Sequence, residues 1–481
     1  MLSNRANESR LPLPTSECLT TARLRLISSL PKTGHGLDHV RQHLNGDVAP
    51  ALSLSSQSST YYGFVTGGAT EAAKFADHLC VEYDQNVQVH LPRETVATDV
   101  EDCALRMLLQ LAGLDPQSWQ HRTFTTGATA SNVLGLALGR QSALASLSSR
   151  KGTRPPNVAE DGIFAVMQQA GVESVQILTT VAHSSLRKAA SIVGLGRAAV
   201  IDVGREGEAH RFDFTRLADL LSRAKTASVV AVSYSEVNTG LYATSGAEMS
   251  QIRKLCDQYG AWLHVDAAFG LLARVLPETL EFEKLLDGAA GLELADSITG
   301  DAHKLLNVPY DCGFFFSKCL DIATEVCQNP NAAYLSSSVV ATIPSPLNIG
   351  IENSRRFRAL PVYATLVAYG KEGYSEMMQR QVKLARLIAE FILDSPGYEL
   401  LPESSSSRND RLRSIYMVVL FRAKDEELNR ALVQRINDTR KIYVSGTAWD
   451  GRPAARFAVA NWQADAQRDL PIIKEVLNAQ L

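Results

Sequence analysis

No stretch of the chain offers the roughly 18 consecutive apolar residues of a membrane-spanning helix. The opening from Met1 to Leu30 mixes Asn4, Arg5, Glu8, Arg10 and Pro12 and has no apolar core, so a secretory signal is not expected. Cysteine is sparse: Cys18, Cys80, Cys103, Cys256, Cys312, Cys319 and Cys327 are odd in number, scattered, and contain no C-x-x-C pair. That pattern argues against a disulfide framework or a structural zinc site, and ordinary reduced thiols are expected. An excess of one charge is also missing. The 48 Lys+Arg against 51 Asp+Glu leave a net charge of −3, which argues against a nucleic-acid binder that relies on a basic face, although the total leaves room for a local patch. There is no internal repeat. What is present is ordinary: 481 residues, 45% apolar and 21% charged, enough for two to four domains and a large core. A soluble, cytoplasmic protein with no metal site is the expectation.

The pattern changes along the chain. Residues 1–50 are polar and helix-rich, and a Ser-rich connection runs from Ser53 to Ser59. From about Thr123 to Ser317, short β-branched and apolar runs alternate with helical stretches. The runs are Ser174–Thr179, Ala198–Val203, Ser228–Tyr234, Ala261–Val265 and Gly313–Ser317; Ser184–Val193, Phe214–Ala224 and Gly246–Tyr259 read as helices. Such alternation predicts βαβ units and a mostly parallel sheet covered on both faces. Beyond it, helical patterns (Tyr374–Leu393, Asp425–Asn437, Ala466–Leu477) flank strand-like runs (Ser414–Phe421, Ala455–Ala460) in an α+β tail. Gly194-Leu-Gly-Arg-Ala-Ala199 fits the dinucleotide fingerprint G-x-G-x-x-A. That fingerprint needs a strand before and a helix after, and here the order is reversed, so a glycine helix cap is the better reading.

Four segments could carry chemistry, and each also has a purely structural reading. The run Ala261-Trp-Leu-His-Val-Asp266 ends a strand on an acid, where open α/β sheets bind ligands, or else Asp266 caps a turn. Lys304 lies between His303 and two leucines, a setting for a Schiff-base amine or for a snorkelling surface lysine. Thr123-Phe-Thr-Thr-Gly-Ala-Thr-Ala-Ser-Asn132 opens a helix with small and hydroxyl residues, as an anion cradle or a capped helix start does. His183 follows a strand and precedes a hydroxyl-rich helix start, as a stacking residue or a cap. Together they supply an anion cradle, a flat side chain to stack, an acid for a ring nitrogen and a lysine for an aldehyde. That is the toolkit of pyridoxal 5'-phosphate.

The order and wording of these motifs resemble the group II pyridoxal-phosphate-dependent decarboxylases, which act on aromatic amino acids, tyrosine, histidine or diaminobutyrate. The resemblance covers roughly Tyr61 to Trp462. It is carried by Asp301-Ala-His-Lys-Leu-Leu-Asn-Val-Pro-Tyr-Asp-Cys-Gly313, His264-Val-Asp-Ala-Ala268, Thr125-Thr-Gly-Ala-Thr-Ala-Ser-Asn132 and Ser354-Arg-Arg-Phe-Arg-Ala-Leu-Pro361. Tyr62-Gly-Phe-Val-Thr-Gly-Gly68 and Ser445-Gly-Thr-Ala-Trp449 add to it. It implies an aspartate-aminotransferase-like α/β fold of type I, with a mostly parallel sheet sandwiched by helices and a smaller C-terminal α+β domain. The implied division is a dimerising helical segment over 1–90, a cofactor domain over 91–360 and a small domain over 361–481. A homodimer with its active site at the subunit interface is implied too.

By the same resemblance Lys304 is the Schiff-base lysine, with His303 beside the phosphate. Asp266 pairs with the pyridine nitrogen, His183 stacks on the ring and Ala268 packs on the other face. Gly127, Ala128 and Thr129 cradle the phosphate, and Asn238 and Thr239 lie near the ring. The implied reaction is loss of the α-carboxylate of an L-amino acid. Tyr62, Phe64, Thr66 and Tyr334 are candidate substrate residues, with a lean toward hydrophobic or aromatic side chains. One departure stands out. Relatives of the aromatic enzymes carry a loop tyrosine that returns a proton to the substrate carbon, but this chain has no tyrosine between Tyr334 and Tyr363. Decarboxylative oxidation to an aldehyde, or another C–C or C–N cleavage, therefore stays open beside plain decarboxylation. So does a catalytically silent relative used for binding.

Overall fold

The computed structural model describes residues 11–149, 157–329 and 343–481. They form two compact units. The larger takes the described residues of Ala69–Gln379 with Ser405–Tyr416; the smaller takes residues 11–68 with Arg380–Ser404 and Met417–Leu481.

The larger unit is built on a seven-stranded sheet. Its strands are β1 (His121–Thr125), β2 (Ser174–Thr179), β3 (Val200–Asp202), β4 (Thr226–Ser233), β5 (Trp262–Asp266), β6 (Ser297–Asp301) and β7 (Gly313–Ser317). Their spatial order is β1-β7-β6-β5-β4-β2-β3. The pairs from β6 to β3 are all parallel, and β7 alone runs antiparallel to both its neighbours. Parallel strands covered on both faces read as unbroken apolar runs, and Val229, Val230, Ala231 and Val232 of β4 are all buried.

The helix Ala128–Ser149 lies across the sheet, with Leu134 and Leu138 in one core with Ile177, Val229, Trp262 and Phe315. Its glycines set how closely it approaches. A Cβ on Gly135 would stand 2.5 Å from His264 Cε1, and one on Gly139 2.9 Å from Trp262 Cδ1. The helix Gly246–Tyr259 starts on a reciprocal Ser245–Glu248 capping box and ends at Gly260 in the left-handed region, so its bounds follow from sequence. Gly194 and Gly196 likewise have φ of 80° and 83°, closing the helix Ser184–Ile192 ahead of β3. They are a helix terminus and not a nucleotide loop.

The smaller unit holds a five-stranded sheet in the order Tyr61–Tyr62, Tyr443–Trp449, Arg452–Ala458, Val418–Ala423, Tyr398–Leu401. The first pair is parallel and the rest antiparallel. Tyr61 stacks on Tyr443, with ring centroids 4.6 Å apart and planes at 3°. Helices Glu426–Asp438 and Ala466–Asn478 belong to the same unit. The helix expected over Tyr374–Leu393 is the later part of Ala359–Asp394, which is interrupted at Gly370 (φ 57°). Among the described residues no helix is long and apolar enough to cross a membrane.

Candidate active site

Chemistry-bearing residues collect beyond the carboxyl ends of the strands in the larger unit, the edge where open α/β sheets bind ligands. β1 leads through Gly127 into the helix Ala128–Ser149, and β5 ends on Asp266. β2 leads to His183, whose ring caps the helix Ser184–Ile192 by accepting from Ser185 N–H. β6 ends on Asp301 and passes at once into the turn Ala302–Leu305, which carries His303 and Lys304.

Around the lysine, one carboxylate organises the contacts. Lys304 Nζ lies 2.8 Å from Asp301 Oδ2, with the lysine side chain 20% exposed and the aspartate 5%. Asp301 Oδ1 accepts the Ala128 N–H at 2.6 Å, so the first amide of the long helix already holds an anionic oxygen. Lys304 Nζ also stands 5.6 Å from the centre of the Phe269 ring. His303 Nδ1 accepts the Cys312 N–H at 3.2 Å, and its ring lies 4.5 Å from that of Tyr310. Burial pushes the His303 pKa down; Asp301 opposes that shift and the Lys304 charge adds to it.

A second group sits on β5. Asp266 Oδ1 accepts from Ala268 N–H at 3.2 Å, and Oδ2 accepts from Asn132 Nδ2 at 3.0 Å. Asn132 also reaches Ser185 Oγ at 3.2 Å and His264 Nε2 at 2.9 Å. In the turn after β4, the buried Glu236 carboxylate accepts from the N–H groups of Asn238 (2.9 Å) and Thr239 (2.8 Å), and from the Thr239 hydroxyl. Thr129 is half-buried in the first turn of its helix.

The larger unit thus holds Lys304, His303, Asp266, Ala268, His183, Gly127, Ala128, Thr129, Asn238 and Thr239. The candidate substrate residues Tyr62, Phe64 and Thr66 belong to the smaller unit. There Tyr62 is buried, and Thr66 is buried with its hydroxyl donating to Gly63 O at 3.3 Å. Phe64 is 65% exposed at φ 54°, its N–H donating to Ser445 Oγ at 2.7 Å. Tyr334 lies outside the described residues. Asp301, Asn132, His264, Ser185 and Glu236 were not singled out from the sequence. The available signal for Asp301 was its three-residue spacing from Lys304 on a turn; for Asn132 and His264 it was polarity inside otherwise apolar elements.

Residues 28–407 match the pyridoxal-dependent decarboxylase conserved domain. The chain belongs to this family. It is a group II member with the aspartate-aminotransferase-like fold of type I. An L-2,4-diaminobutyrate decarboxylase of Acinetobacter baumannii is 31% identical over 293 residues, 60% of this chain and 54% of that protein. Tryptophan decarboxylase 1 of Oryza sativa subsp. japonica is 26% identical over 445 residues, covering 91% of this chain and 83% of that one. The match thus spans about half of the first relative and most of the second. Among solved structures, Oryza sativa TDC with PLP and tryptamine superposes with a TM-score of 0.80 at 22% identity, covering 98% of this chain and 93% of that one, a likeness of fold.

The residues present suit the family's cofactor, pyridoxal phosphate. A Cβ on Gly127 would come 3.3 Å from both Asp301 Oδ1 and His303 Cε1, so glycine lets the backbone before the helix start approach both groups closely. Lys304 supplies an amine, Asp266 an acid, and the helix terminus a set of N–H donors for an anion.

Proposed function

We propose that the chain is a pyridoxal-phosphate-dependent carboxy-lyase that removes the α-carboxylate of an L-amino acid, with a lean toward hydrophobic or aromatic side chains. The observation that carries this reading is the Lys304 amine, held 2.8 Å from Asp301 on the turn between β6 and β7, at the sheet edge shared by Asp266 and the helix start. When bound, pyridoxal phosphate supplies an aldehyde for the substrate amine and a ring that takes up the electron pair left as CO2 departs. Lys304 is the amine that engages that aldehyde and yields it to the substrate. Asp266, oriented by two N–H donors, holds a proton at the ring nitrogen. Gly127, Ala128 and Thr129, with His303, hold the phosphate. The exposed His183 ring covers one face, Ala268 the other, and Asn238 and Thr239 line the edge. Tyr62, Phe64, Thr66 and Tyr334 are assigned to the substrate side chain. A homodimer with a shared site is part of the reading, with residues 1–90 as the dimerising segment, 91–360 as the cofactor domain and 361–481 as the small domain. Exposed Leu24, Ile27 and Leu30 support that role for the N-terminal segment. The expected location is cytoplasmic.

The test is to add pyridoxal phosphate to the purified chain and look for a visible band that borohydride bleaches and Lys304→Ala lacks. A panel of amino acids is then scored together for CO2, O2 and ammonia. CO2 release without O2 use is the expected result. Matched O2 uptake and ammonia release would replace it with decarboxylative oxidation, and a well-folded protein without the band would be a silent relative.

A further inference from the structure

Behind Asp266 and His183 runs a line of hydrogen bonds whose direction is fixed by its two ends, a donor-only indole and an accepting carboxylate. Trp262 Nε1 can only donate, and it donates to Ser297 Oγ at 2.8 Å. At the other end the Asn132 NH2 faces the Asp266 carboxylate, so the Asn132 oxygen takes the His264 Nε2–H and the Ser297 hydroxyl hydrogen is left to donate to His264 Nδ1, 2.8 Å away. His264 is completely buried, and burial pushes its pKa down to about 4, so the ring is neutral and has one N–H. With Nδ1 accepting, that N–H is on Nε2 and donates to Asn132 Oδ1 at 2.9 Å; Thr299 Oγ1, at 3.4 Å, faces the same nitrogen. The carboxylate thus fixes which end of the Asn132 amide is oxygen. Its NH2 group points at Asp266 Oδ2 (3.0 Å) and at Ser185 Oγ (3.2 Å). His183 Nδ1 accepts the Ser185 N–H and is therefore an acceptor, so the Ser185 hydroxyl hydrogen goes to it at 2.7 Å. Ser185 N–H reaches the same nitrogen at 3.2 Å.

We infer that Asn132 and Ser185 are positioning residues that hold His183 as its Nε2–H tautomer while binding Asp266 as a carboxylate. Nδ1 of His183 receives two donors, so a proton on it would face the Ser185 N–H head-on. The neutral ring therefore presents an N–H at its outer nitrogen. Given the roles assigned to His183 and Asp266 under Proposed function, the ring that covers the cofactor face carries its proton on the outer nitrogen, which is then a donor and not a base. One buried amide also couples the two groups, because Nδ2 of Asn132 serves both.

The tautomer is read in the full chain labelled with nitrogen-15 histidine, without cofactor and above neutral pH, with His183→Gln assigning the signal. Wild type should show Nδ1 unprotonated and Nε2 protonated. Ser185→Ala keeps the backbone N–H but loses the closer hydroxyl donor, so part of the population should move to the Nδ1-protonated tautomer. Its kcat should fall about tenfold with KM within about twofold, the size of one lost hydrogen bond. Ser185→Thr, which keeps the hydroxyl, should restore both readouts. Asn132→Leu should do what Ser185→Ala does and also weaken pyridoxal phosphate binding, and Ser185→Ala keeps the test open if that variant misfolds. Protonated Nδ1 in wild type would overturn the inference. So would Ser185→Ala that loses stability but keeps the wild-type tautomer and kcat. If wild type binds no pyridoxal phosphate, the proposed function fails, while the cofactor-free spectrum still decides the tautomer.

Discussion

The two oxygens of Asp301 face opposite ways, one 2.8 Å from Lys304 Nζ three residues on, the other 2.6 Å from the N–H of Ala128, 173 residues back. A single buried carboxylate braces the lysine turn against the start of the long helix. Removing it leaves a half-buried ammonium and a buried amide without an acceptor. Asp301→Ala should cost the cofactor-free protein about 2–3 kcal/mol, read from urea unfolding. Asp301→Asn can still accept the Ala128 N–H and should cost less than half as much. Equal losses for the two variants would show that the amide contact contributes nothing.

Acid should destabilise the fold through two histidines. His121 and His264 are fully buried, and burial pushes each pKa down to about 4. Unfolded, each titrates near its ordinary value of about 6.5, so between pH 6.5 and 4 the unfolded chain binds more protons than the folded one. Stability is therefore full above about pH 7 and falls as pH drops through that window, by on the order of 3 kcal/mol per histidine. Denaturant midpoints measured from pH 7.5 to 4.5 should show the decline. His121→Gln, whose amide can still donate toward Ile349 O (2.7 Å from Nε2 in the native chain), should lessen it, leaving the His264 share. An unchanged slope would remove His121 from the account.

Gly135→Ala should destabilise the protein even though alanine is the better helix former by about 1 kcal/mol. The added Cβ would lie 2.5 Å from His264 Cε1, and that ring is held by Ser297 and Asn132. Overpacking against a fixed buried group costs about 1–3 kcal/mol. Gly34, with nothing within 4 Å of its Cβ position, is the control and should change stability by less than about 0.5 kcal/mol. Thermal unfolding of both variants is the measurement, and equal melting temperatures would contradict the packing argument.

Where a segment's structure depends on its own residues, it is legible in the sequence. β2, β7 and the helix Gly246–Tyr259 have the bounds their apolar runs and capping residues predict. β1 and β6 were hidden because they read His-Arg-Thr-Phe-Thr and Ser-Ile-Thr-Gly-Asp; they are largely buried strands rich in polar residues, with partners such as Ile349 O for His121 Nε2 and Trp262 Nε1 for Ser297 Oγ lying far off in sequence. The reversed direction of β7 leaves no mark on Gly313–Ser317 itself. Nor does Tyr61–Tyr62, two residues long, announce a partner in Tyr443–Val444. The candidate site divides the same way. Lys304, Asp266 and His183 follow apolar strands in order, so their position is readable. The Asn132–His264 contact joins residues 132 apart, and nothing local in either motif shows it.

The antiparallel β7 has a consequence for how the molecule is made. β1 is at the sheet edge and pairs only with β7 among the described strands, residue Thr125 opposite Gly313. A chain halted on the ribosome just short of Gly313 already contains Lys304, Asp266, His183 and Gly127. It still lacks the strand that docks β1, and with it the helix start, beside the lysine turn. Because long-range pairing is the slow step of such folds, the helix start is docked beside the lysine turn only after β7 has been made. Until then the chain carries these side chains without the strand that brings their elements together.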